Sequence, residues 1–138
     1  MRNSAPDVLL GSRNYSTSID IWSVGCIMAE MYSGKALFPG KTNYDQLVGI
    51  FKIFGTPTEL TWPHVTEFSE YKSDFPMYPE TDIRGPLPMI DPLGVDLLIQ
   101  TLQYQPQLRI SAKNALCHLY FQELHVNANT PFPPKMGF

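Results

Sequence analysis

From Ile19 to Tyr32 apolar residues fall on every side of a helical wheel, with Ile19, Ile21, Trp22, Val24, Cys26 and Ile27 in quick succession. That pattern predicts a helix in the middle of a core rather than on its surface. Ser16 or Ser18 stands where a cap is needed, and Gly34 where the helix should stop. A second helix is predicted from about Asp45 to Phe54. It is one-sided, with Leu47, Ile50, Phe51 and Phe54 at i, i+3, i+4 and i+7, and Gly55-Thr56-Pro57 ends it. Between Thr58 and Asp91 the prolines and aromatics of "TWPHV", "DFPMYPE" and "GPLPMIDP" keep no sustained period, which predicts a long loop and not a sheet. Asp91-Pro92 then starts a third helix with a stripe of Val95, Leu98, Ile99 and Leu102. Ser111 caps a shorter one over "AKNALCHLYF". The prolines of "NTPFPPKMGF" predict an extended or disordered tail. No alternating strand pair and no internal repeat is present, so the fold class is mostly α.

Composition narrows the picture without naming a chemistry. The 138 residues fit one ordinary domain, and a formal charge of −3 argues against an electrostatic nucleic-acid binder. No apolar run reaches the roughly 18 residues of a membrane span, and "MRNSAPDVLL" has no signal-peptide core. An intracellular protein, without membrane or nucleic-acid partners, is expected. Cys26 and Cys117 lack any ligand spacing and are expected to be small buried hydrophobes. Phosphate-binding glycine motifs, H-E-x-x-H and G-x-S-x-G are absent from these residues. What stands out is a carboxylate, Asp20, in the central helix. Taken alone it reads as a first-turn charge favouring the helix dipole, worth about 0.3–1 kcal/mol.

A resemblance gives that aspartate a second meaning. The run "APDVLLGSRNYSTSIDIWSVGCIMAEMYSGKALFPGKTNYDQL" resembles the C-terminal lobe of eukaryotic protein kinases, and "RISAKNALCHLYF" resembles the end of the same lobe. The series "LFPG…DQL…IF…GTP…WP" is similar to cyclin-dependent kinases of the CMGC group. "APDVLLGSRNYSTSIDIWS" is most similar to the fungal phosphate-signalling member. The resemblance implies a mostly α C-terminal (large-lobe) half of the kinase fold, without the N-lobe and catalytic loop. It covers residues 1–123 as a partial kinase domain, with 124–138 as the proline-rich tail.

Several roles follow from the resemblance, residue by residue. Asp7, where the family ends its activation segment with Ala-Pro-Glu, would pair with Arg109. Asp20, with Trp22 and Gly25 in the D-x-W-S-x-G pattern, would hold the catalytic loop through that loop's backbone amides. Asp45, with a partial match at Lys72-Ser73, would dock a small Cks-type regulator; Asp45 also reads simply as a helix cap. Independently of the resemblance, Trp62, Phe75 and Tyr78 could form an aromatic binding patch, but they are expected to pack the long insert onto the lobe, since long ordered loops need such anchors. Two departures occur: Arg2-Asn3-Ser4 replaces the family's Trp-Tyr-Arg, and His118-Leu119 replaces His-Pro, a change expected to let the last helix continue.

Phosphoryl transfer needs a glycine-rich loop, a strand lysine with its glutamate, a catalytic aspartate and the Asp-Phe-Gly magnesium ligand. None of them is found in these 138 residues. The chain by itself is therefore expected to be inactive, with no catalytic, cofactor-binding or metal residues. ATP and magnesium, a cyclin and a protein substrate belong to the complete family member, expected in nucleus and cytoplasm. The alternatives are a noncatalytic fragment that binds a Cks-type protein or substrate, and a nonfunctional truncated product. Because the central helix would leave a face bare, a loose or aggregation-prone chain is expected.

Overall fold

The computed structural model describes residues 2–122, so the tail expected over 124–138 lies outside the described residues. The helices are α1 (Pro6–Leu9), α2 (Thr17–Ser33), α3 (Asn43–Phe54), α4 (Pro92–Thr101) and α5 (Ala112–Leu116). Short 3-10 turns occur at Val65–Glu67 and Pro106–Leu108. Phe54 and Glu80 form an isolated antiparallel bridge, and no strand occurs among the described residues. The architecture is mostly α, as the hydrophobic pattern predicts. None of the described helices is long and apolar enough to cross a membrane.

Start and stop chemistry sets most helix limits. Gly34 ends α2 at φ 76°, a left-handed conformation that costs a glycine little, and its N–H donates to Glu30 O at 2.7 Å. Ser16 is the first flanking residue of α2, but its hydroxyl bonds to that of Ser18 instead of a helix amide. Helix α3 starts two residues before the expected Asp45, because Thr42 Oγ1 accepts from the Asp45 N–H at 3.0 Å. Asp45 is thus an exposed first-turn acid and not the cap. Asp91 caps α4 by accepting from Gly94 N–H at 3.0 Å, with Pro92 as first helical residue, and Ser111 caps α5 from Asn114 N–H.

The core is organised by α2 against α4 and α1 against α3. Gly25 is where α2 meets the end of α4: a Cβ there would run into Thr101 Oγ1 and lie 2.8 Å from Leu102 Cδ2. This close approach corrects half of the expected stripe of α4: Leu98 and Leu102 are buried as expected, and Val95 and Ile99 are not. Its buried face is Gly94, Leu97, Leu98 and Thr101, while Val95 is half-buried and Ile99 exposed. Small residues at positions 94 and 101 let α2 approach, and the inward face turns towards them.

The 58–91 segment is a loop, as its lack of period implies, and it is heavily anchored. Trp62 stacks on Tyr104 with centroids 5.5 Å apart, and Phe75 meets Phe51 edge-on at 5.1 Å. Thr56 Oγ1 donates to Pro76 O at 2.6 Å and accepts from Tyr78 N–H at 2.9 Å. Long ordered loops require such anchors. Two expectations fail near the end of the described chain. The helix after Ser111 stops at Leu116 instead of continuing, and the chain turns at residues 117–118 before helical backbone resumes over 119–122, the last described residues. Cys117 is exposed, unlike Cys26; the break at residue 117 turns its side chain outward.

Candidate functional site

Arg109 is the most constrained charged side chain among the described residues. Its guanidinium donates to Asp7 Oδ1 at 2.7 Å, Tyr104 O at 3.1 Å, Gln103 O at 2.8 Å and Ser18 O at 3.2 Å. It also lies over the Trp22 ring, 5.3 Å from the centroid. Both charged ends are out of water, the Arg109 side chain 0% and the Asp7 side chain 2% exposed. Burial pulls Arg109 below the ordinary guanidinium range, and Asp7 opposes that shift. A guanidinium keeps its proton under such conditions, and its planar fork lets one cation satisfy several acceptors. The result is a latch joining α1, the start of α2 and the 103–104 turn.

Trp22 forms the floor of this latch. It is fully buried, stacks on Phe38 at 6.1 Å, and presents its ring to Arg109. Its indole N–H finds no hydrogen-bond partner among the described residues, so the ring, and not the donor, holds it there. One turn further, burial pushes the Cys26 thiol up to about 12, leaving it an un-ionised apolar filler.

Asp20 stands apart from this cluster. It is exposed on the first turn of α2, with its carboxylate open to solvent. At i+4, i+7 and i+11 from it lie Val24, Ile27 and Met31, which are 54%, 48% and 81% exposed. Asp20 therefore heads a bare apolar stripe. This stripe forms one wall of a groove of about 650 Å³, completed by Leu97 on α4, Leu116 on α5, and Tyr120 and Phe121.

Asp45, Lys72 and Ser73 are all exposed. Tyr44, beside Asp45, stacks on Phe75 at 6.0 Å, and the Phe75 N–H donates to Lys72 O, so the start of α3 and the 72–75 turn are neighbours. Among the described residues no group of three His, Cys, Asp or Glu side chains comes together in a way that could hold a metal ion.

Residues 2–121 match the protein kinase domain. The chain belongs to the protein kinase family. The match begins at Arg2, three residues before the motif run that starts at Ala5. Those residues are tied in: Arg2 pairs with Glu30 on α2, and Asn3 O accepts from Ser23 Oγ at 2.9 Å. In this kinase lobe the most important residue not singled out from sequence is Gln46. Fully buried, it accepts from Gly40 N–H at 2.8 Å and donates to Arg2 O at 2.7 Å, joining α3 to two loops. The signal was a polar residue at an i−1 position beside the apolar stripe of "DQLVGIF", where a buried amide is easily mistaken for a surface one. Tyr104 was also missed; its hydroxyl donates to Gly55 O at 2.5 Å, and burial raises it above the ordinary phenol range.

Proposed function

We propose that the chain is the C-lobe portion of a cyclin-dependent protein serine/threonine kinase, similar to the fungal phosphate-signalling member of that family. The complete protein would use ATP and magnesium to phosphorylate proteins together with a cyclin. This segment would anchor the end of the activation segment and form the peptide-side scaffold. The observation that carries the reading is the ordered series "LFPG…DQL…IF…GTP…WP", whose large members Phe38, Gln46, Phe51 and Trp62 are all buried. Residues so placed are set by packing with one another, and an unrelated sequence has no reason to repeat the series in order.

In this reading Asp7 and Arg109 fix the activation segment to the far end of the lobe. Asp20 receives backbone amides of the catalytic loop, and the bare stripe of Val24, Ile27 and Met31 lies beneath the rest of the kinase domain. The Asp45 and Lys72-Ser73 surface is the docking place for a Cks-type protein. These 138 residues by themselves transfer no phosphate.

Sequencing the transcript upstream of the Met1 codon tests the proposal. A continuous frame carrying His-Arg-Asp and Asp-Phe-Gly is the expected result. In-frame stops, together with an abundant short transcript, would overturn it in favour of a noncatalytic interaction fragment or a nonfunctional product.

A further inference from the structure

Helix α4 is apolar on two sides. Leu97 and Thr101 face the groove along α2, whereas Val95, Ile99 and Leu102, at i, i+4 and i+7, wall a separate cleft of about 490 Å³. Phe54, Tyr78 and residues 80–84 close the cleft from the opposite side. It has no lining residue in common with the α2 groove, so whatever covers Val24, Ile27 and Met31 leaves it open. Ile99 is 42% exposed there, and Val95 is half-buried.

The walls belong to the anchored side of the molecule. Tyr104 Oη donates to Gly55 O at 2.5 Å, Thr56 N–H to Tyr78 O at 2.9 Å and Thr81 N–H to Ile53 O at 2.8 Å. The last two bonds hold residues 78–81 extended beside the end of α3, where Phe54 and Glu80 form the antiparallel bridge.

Charge at the rim is one-sided. Asp82 is neutralised locally, since Arg84 donates to both of its carboxylate oxygens at 2.8–3.1 Å. Glu80 has no cation partner among the described residues. Its charge is felt inside the cleft: after burial, it is what raises the Tyr104 hydroxyl above the ordinary phenol range. An aliphatic wall thus stands beside one uncompensated carboxylate.

We propose that this cleft docks an extended segment of a protein partner carrying a lysine or arginine two positions from an aliphatic residue, with the aliphatic side chain on Val95 and Ile99 and the cation on Glu80. Side chains two positions apart share one face of an extended chain. The carboxylate selects a basic segment over an acidic one, and the apolar wall fixes where it lies.

The probe is the peptide Gly-Lys-Ala-Xaa-Gly, with photoleucine at Xaa. Its diazirine loses nitrogen on irradiation and inserts into a neighbouring bond. Irradiated with the 138-residue chain, the peptide marks the residues it occupies, and mass spectrometry of the digest locates the marks; only the bound fraction is read, so a loose chain does not obscure them. Marks are expected on 78–84 and 95–104. Glu80→Lys should lower them about two- to fivefold, the range of an exposed ion pair. The peptide with glutamate in place of lysine should mark Glu80→Lys more strongly than the parent. Ile99→Asp, at an exposed position, should remove the marks. Marks concentrated on 24–31, marks spread evenly along the chain, marks that survive Ile99→Asp, or no response to exchanging the charges would overturn the proposal.

Discussion

The Asp7–Arg109 latch is a buried ion pair, and such pairs are poor sources of net stability but severe penalties when halved. Arg109→Ala would leave the Asp7 carboxylate at 2% exposure with its cation gone, a change that typically costs about 3–5 kcal/mol. Asp7→Leu with Arg109→Met removes both charges and should cost less. Urea unfolding followed by the fluorescence of the buried Trp22 and Trp62 should therefore rank the single variant below the double, and the double at or below the parent. Equal midpoints for Arg109→Ala and parent would show that the latch carries nothing. The two partners are 102 positions apart in sequence, and no local pattern links them; only the family resemblance implied the pair. Gln46 and Tyr104 had no such help. Their burial follows from which loops return to them, and that is a property of the tertiary path and not of any window of residues.

Helices were legible where their ends carry their own chemistry. Asp91-Pro92, Ser111 and Gly34 each supply a local hydrogen bond or backbone conformation that the residue type announces. Of the α4 stripe, Leu98 and Leu102 are buried as expected, but Val95 and Ile99 give way to Gly94, Leu97 and Thr101, because the partner helix, meeting α4 at Gly25, decides which face turns inward. The break before 119–122 escaped because the His118 imidazole, a rare cap that accepts from the Tyr120 N–H, replaces the usual hydroxyl or carboxylate. Glu59 is a similar unannounced cap: one oxygen accepts from His64 N–H, and the other from Thr66 N–H and Thr66 Oγ1, at the start of the Val65–Glu67 turn. The Thr66 amide leads in lowering its pKa below 4.5, followed by the His64 amide. A carboxyl depressed in the folded state contributes stability above its unfolded pKa and loses that contribution as pH falls through the lower folded value. A carboxyl-carbon NMR titration should place the Glu59 midpoint below 4.5, and Glu59→Gln should flatten this part of the acid dependence. A midpoint at or above the ordinary glutamate value would remove the cap.

Over the whole molecule, the described residues divide into a well-anchored side and a bare one. Trp62, Phe75 and their neighbours close the long loop onto α3, whereas Val24, Ile27 and Met31 leave α2 unsheltered along the line that Asp20 heads. The sequence pattern of α2, apolar all round, announced a buried helix; the described residues cover only part of it. Fully burying a large apolar side chain is worth about 1.5–3 kcal/mol, so three such residues left in water are a large fraction of the 5–15 kcal/mol that typically holds a domain together. The 138-residue chain should bind a hydrophobic dye and melt over a broad range. A sharp two-state thermal transition of the monomer, with no dye binding, would contradict this.

The chain belongs to the protein kinase family, and we propose that it forms the scaffold of a cyclin-dependent kinase while the chemistry belongs to the rest of the kinase domain. The most direct test of this claim is phosphate transfer from labelled ATP, with magnesium, to a peptide bearing serine before proline, using the purified 138-residue chain. No transfer above the no-enzyme control is expected. Transfer that disappears on substitution of residues within this chain would contradict the claim.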